Sequence, residues 1–156
     1  MAKKRFLFLI VMVLLMGTAL LVQAGGNRNF RAHLAGDNEV PANDSLAQGQ
    51  AIFQFSKDGA SLDYKLIVAN IENVFAAHIH CGPAGQNGPV GVTLFGGSTV
   101  SINGILAEAT VTAPNSGNAC AWESLDDVKA AIESGDTYVN VHTTAIPGGE
   151  IRGQIH

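Results

Sequence analysis

The chain has 156 residues, with 9 Lys+Arg against 13 Asp+Glu, 47% hydrophobic residues and 6% aromatic residues. A formal charge of −4, with no Lys/Arg cluster beyond residue 5, argues against a nucleic-acid binder, because neutralising phosphates needs a basic face. The length suits one ordinary domain.

Lys3, Lys4 and Arg5 precede an apolar run from Phe6 to Met16 that continues through Leu20, Leu21 and Val22 to Gln23 and Ala24. A basic start, an apolar middle and the small residues Val22 and Ala24 before a cleavage point predict a secretory signal peptide over residues 1–24. An uncleaved membrane anchor is the alternative, although the stretch is near the short end of the ~17–25 residues of a membrane span. Cleavage leaves 6 basic and 13 acidic residues, a charge of −7 over the remaining 132. The expected mature protein is acidic, periplasmic or extracellular, off the membrane, and one domain over residues 28–156.

Strand signals dominate the chain beyond residue 28. Apolar and polar residues alternate over Phe30–Ala35, Ala51–Phe55 and Leu62–Val68, the period of half-buried strands. Gly36-Asp37-Asn38, Pro41–Ser45 and Lys57-Asp58-Gly59 supply the turns. Further strands are expected at Ala76–His80, Val90–Phe95, Ser101–Val111, Thr137–His142 and Glu150–Ile155. About eight short strands predict an all-β Greek-key sandwich or flattened barrel. One helix is expected over residues 124–134, where a Ser124/Asp127 capping box opens it. Leu125, Val128, Ala131 and Ile132 recur at helical spacing and Gly135 closes it.

Cys81 and Cys120 are an even pair in a chain bound for an oxidising compartment, which predicts one disulfide. The other reading of Cys81 is a metal thiolate beside His80. In Ala77-His78-Ile79-His80 the two imidazoles leave one face of a strand and Ile79 the other, so both can serve one metal ion. In Tyr138–His142, Val139 and Val141 take the core face and His142 the opposite one. His78, His80 and His142 therefore become candidate metal ligands on the outer face of a sheet, provided their strands are neighbours. His33 and His156 have the same outward parity and are weaker candidates. Imidazole sets favour copper, zinc, iron or nickel over calcium and magnesium. No GxSxG motif and no phosphate-cradling loop with a lysine is present, so hydrolase and nucleotide-binding chemistry have no local signature. Gly85, Gly88, Gly91, Gly96 and Gly97 are read as turn glycines.

Three stretches carry a family resemblance: Phe30–Pro41 (FRAHLAGDNEVP), Ala77–Gly85 (AHIHCGPAG) and Tyr138–Gln154 (YVNVHTTAIPGGEIRGQ). They resemble the CHRD domain, the module named after chordin and found singly in secreted bacterial and archaeal proteins. A more distant similarity is to copper/zinc superoxide dismutase, whose barrel carries copper histidines as an HxH pair and a later V-x-H. The resemblance implies copper at His78, His80 and His142. There is no bridging histidine in the Gly82–Gly91 loop and no zinc-ligand cluster, so no zinc is expected. Glu150 falls where that family has a substrate-guiding arginine. These residues together lead to an exported protein binding one copper ion, in copper handling or redox chemistry, with a redox or envelope protein as possible partner. The alternatives are a non-catalytic structural or interaction module of the cell envelope and a copper-only dismutase-like enzyme.

Overall fold

The computed structural model describes residues 26–156; the expected leader, residues 1–24, lies outside them. The described chain forms six strands, β1 (Asn29–Ala35), β2 (Gln48–Phe55), β3 (Leu62–Cys81), β4 (Val90–Val111), β5 (Thr137–Thr143) and β6 (Ile151–Gln154), with one helix, α1 (Leu125–Glu133). The strands follow the order β2-β1-β6-β5-β3-β4, and β2 also pairs with β3, so the antiparallel sheet closes into a barrel with β4 lying along β3. Closure leaves β1, β2, β3, β5 and β6 with neighbours on both edges.

The expected eight strands are six by continuous backbone because two pairs of them are single long strands. β3 changes partner half-way: residues 62–69 pair with β2, and residues 74–81 pair with β5. Between the halves Asn70 and Asn73 take positive φ, 54° and 52°, in the left-handed region that asparagine tolerates better than most residues. The register against β4 shifts at the same place. Each long strand thus behaves as two segments about a bend, which restores eight segments. The connection from β4 crosses over to set β5 against the second half of β3, as in a Greek key.

The alternation read from the sequence is what fills the barrel. β1 and β2 bury every second residue, placing Phe30, Ala32 and Leu34 against Ala51, Phe53 and Phe55. Leu62, Leu66, Val74, Ile79, Val139, Val141 and Ile151 join them in one core. Helix α1 lies in the β4–β5 connection and turns Leu125, Val128 and Ile132 into that core. Its start is the expected capping box: Ser124 Oγ accepts from the Asp127 amide, and Asp127 Oδ2 accepts from the Ser124 amide. Its end is followed by Gly135 at φ 80°.

β5 departs from simple alternation, since all seven of its residues are buried. Val139 and Val141 face the barrel interior. Tyr138, Asn140 and His142 face outward but lie beneath the loops that follow β1, β3 and β5. The outer face of the barrel wall is here a covered one.

Candidate metal centre

Cross-strand pairing determines which side chains meet under those loops. On β3 and β5, His78 stands opposite Asn140, His80 opposite Tyr138, and Ala76 opposite His142. On β5 and β6, Asn140 stands opposite Arg152 and Tyr138 opposite Gln154. Directly opposed residues in an antiparallel pair project to the same face, so these residues form one polar patch on the outside of the barrel wall.

His78, His80 and His142 converge within that patch. Their ring centroids are 5.6 Å (His78–His80), 5.1 Å (His78–His142) and 5.7 Å (His80–His142) apart. One ligand nitrogen from each lies within 4.8 Å of the others. His80 and His142 are only 7% and 8% exposed, and His78 is half-buried.

Backbone carbonyls fix how two of the rings are used. His80 Nδ1 lies 2.9 Å from the Gly88 carbonyl oxygen, and His142 Nδ1 lies 3.0 Å from that of Pro147. A carbonyl can only accept, so each Nδ1 carries the hydrogen and each Nε2 keeps its lone pair. Those two Nε2 atoms, and Nδ1 of His78, are buried without any hydrogen-bond partner. Burial holds all three imidazoles below the ordinary histidine range. His78 falls to about 4, with His142 and His80 adding to the effect of burial. The rings are therefore neutral at pH 7, with Nε2 of His80 and of His142 unprotonated, and a neutral His78 that carries its proton on Nε2 leaves its Nδ1 free as well. Buried acceptors left unpaired cost free energy, and a cation is the partner that would satisfy all three at once. The cluster could hold a metal ion.

The loops that hold the rings depend on two close approaches. A Cβ at Gly88 would overlap the carbonyl of Cys81, and one at Gly149, where φ is 132°, would overlap the Asn140 amide. Gly88 is thus needed for backbone contact as much as for a turn. The Cys81–Cys120 disulfide, with its Cα atoms 5.8 Å apart, ties the end of β3 to the segment ahead of α1. Cys81 is consequently no metal thiolate.

Around the histidines lies a second layer that sequence reading did not single out. Arg152 on β6 is only 2% exposed. Its guanidinium donates to Asn87 Oδ1 (3.1 Å), the Pro83 carbonyl (3.3 Å) and the Gln86 carbonyl (2.8 Å). The guanidinium carbon sits 3.4 Å from the centre of the Tyr138 ring. Tyr138 stacks on His80, centroids 4.9 Å apart and planes 11° from parallel. Glu39 is buried near Arg152 and accepts from Asn140 Nδ2 at 3.4 Å, leaving its own Oε1 unpartnered. Burial raises its carboxyl to about 7, against the lowering effects of Arg152 and Asn140. The available signal for these residues was their place in the family-like stretches, Glu39 in the first and Asn140 and Arg152 in the last.

Glu150 is a loop tie: Ser45 Oγ donates to its Oε1 at 2.7 Å and Thr143 Oγ1 to its Oε2 at 2.6 Å. His33 and His156 stand outside the cluster. His33 is exposed on β1 opposite Gln50, and His156 is exposed at the chain end, its backbone paired with Arg31.

A closed antiparallel barrel with a three-imidazole cluster under its loops defines the class of protein. The CHRD domain family model matches residues 30–155, and the chain belongs to that family. No curated protein and no solved structure matches it.

Proposed function

We propose that this CHRD-domain protein is exported and binds a single copper ion through His78 Nδ1, His80 Nε2 and His142 Nε2. The supporting observation is the convergence of three buried and unpartnered imidazole nitrogens, two of them left unprotonated by the carbonyls that orient their rings. Neutral nitrogen donors suit borderline metals, and three imidazoles accommodate both oxidation states of copper. The Cys81–Cys120 disulfide is compatible with an oxidising compartment, in keeping with the leader read over residues 1–24. Copper handling or electron transfer with an envelope or redox protein is the role this site fits.

Dismutase-like catalysis is less well supported. An accessible cation beside the metal would steer an anionic substrate to it. Arg152, the cation that acts electrostatically on His80, is buried and engaged by three acceptors and a tyrosine face. The superoxide dismutase likeness rests on the residue pattern.

Isothermal titration of metal-free protein with Cu(I) and with Cu(II) tests the proposal. One ion per chain, lost in the triple H78A/H80A/H142A variant, is expected. Equal binding by that variant would misplace the site and make His33 and His156 the next positions to replace. No binding by the parent would leave the non-catalytic envelope module as the reading.

A further inference from the structure

The stack of Arg152, Tyr138 and His80 is not needed to explain three ligands, nor is it needed to fill the core. Arg152 has the largest of the fully buried side chains, with its charge directed along a column that ends at His80.

Arg152 determines two of the contacts that hold His80. One is the ring face: the guanidinium lies over Tyr138, and Tyr138 lies parallel to the imidazole. The other is the ring edge: Arg152 pins Pro83, Gln86 and Asn87, and the same loop brings in the Gly88 carbonyl that takes the His80 Nδ1 hydrogen. Tyr138 joins the two, since its hydroxyl accepts from the Gly88 amide at 3.0 Å and donates to the Gly88 carbonyl at 3.3 Å. Loop, tyrosine and histidine are thus organised by one guanidinium.

That guanidinium also brings a permanent positive charge to the site. Among the groups facing it, Glu39 is the acid able to offset it, and Glu39 also interacts with Asn140 rather than meeting the guanidinium alone. The guanidinium carbon lies 3.4 Å from the centre of the Tyr138 ring, whose own centre is 4.9 Å from that of His80, so its field reaches the ligand ring. The same field opposes a divalent ion more than a monovalent one.

We propose that Arg152 is the positioning residue of the site, acting through Tyr138 and the Gly82–Pro89 loop to orient His80, and that its charge biases the site toward Cu(I) over Cu(II). This rests on the copper reading above. At an effective dielectric of about 20 and a separation on the order of 10 Å, one extra unit of metal charge is disfavoured about tenfold.

The test compares the parent with R152Q, R152K and Y138L. Cu(I) and Cu(II) affinities are measured by competition with chelators, and the His80 tautomer is read from imidazole ¹⁵N shifts in metal-free protein. The expected result is that R152Q narrows the Cu(I)/Cu(II) preference about tenfold and mixes the His80 tautomers, while R152K retains the preference. Y138L should weaken both ions together and mix the tautomers. If R152Q fails to fold, R152K and Y138L still separate charge from orientation, because R152K keeps the charge and loses the planar fork. A parent that binds copper, with both preference and tautomer unchanged across the variants, overturns this inference alone. A parent that binds neither ion overturns it together with the copper reading.

Discussion

Cys81 and Cys120 are joined by a disulfide, and both sulfurs approach the carbonyl oxygen of Pro89, at 3.7 and 3.3 Å. The Cys81 amide donates to that carbonyl at 3.1 Å. The bridge therefore anchors the far end of the Gly82–Pro89 loop, whose Gly88 orients His80.

Reduction of the bridge should release this loop before the barrel opens. Amide exchange over residues 82–91 should speed up while β1 and β2 remain protected, and metal affinity should fall in the same titration. The double C81A/C120A variant should lose roughly 3–4 kcal/mol by denaturant unfolding, the chain-entropy value for a loop of about 40 residues. A loop that exchanges no faster after reduction would count against the coupling.

Single alanine replacements should separate ligand roles from structural ones. H78A, H80A and H142A should each weaken metal binding by about 10²-fold or more. In metal-free protein their stabilities should differ. His80 and His142 each satisfy a loop carbonyl, so their loss should cost about 1–3 kcal/mol. His78 makes no hydrogen bond through its buried Nδ1, so H78A should be nearly neutral or stabilising. Thermal melts of the three apo variants check the order.

The pH dependence contains two opposing contributions. The histidines have folded pKa values below the ordinary 6.5, so the unfolded chain takes up more protons, and their contribution to stability is lost as pH falls from 6.5 toward about 4, the folded value of His78. Glu39 has the opposite sign. Its folded value is raised from 4.5 to about 7, so the native state holds more protons between those limits and is destabilised as pH rises through them. E39Q should therefore steepen the loss of stability on acidification between about pH 7 and 4.5, read as the urea midpoint at each pH. Proton competition with the metal should likewise begin below the 6.5 of a free imidazole.

G149A should disturb the site without touching a ligand. The new methyl group meets the Asn140 amide at a φ of 132°, in a loop whose Pro147 carbonyl orients His142. A loss of about 2 kcal/mol in apo stability and weaker metal binding are expected. Calorimetry of parent and variant checks both.

Period-two strands, the capped helix, the cysteine pair and the shared face of His78 and His80 were legible in the sequence because each depends on residues near in the chain or on simple pairing arithmetic. The same logic underlay the strand count, which missed that Asn70 and Asn73 let one strand bend through two barrel segments without a break.

Contacts between residues far apart in sequence could only be settled by packing. Parity placed His142 on the outward side of β5, but only the pairing of β5 with β3 set it beside His78 and His80. Outward parity alone would leave His80, His142 and Arg152 exposed. Loops instead cover that face, with the carbonyls of Pro83, Gln86 and Gly88 after β3 and of Pro147 after β5 finding donors in these side chains. The sequence alone determined which residues turn away from the core, since alternation along a strand is local. Whether those residues meet water, one another or a metal was decided by the tertiary structure, which brings distant loops over the barrel wall.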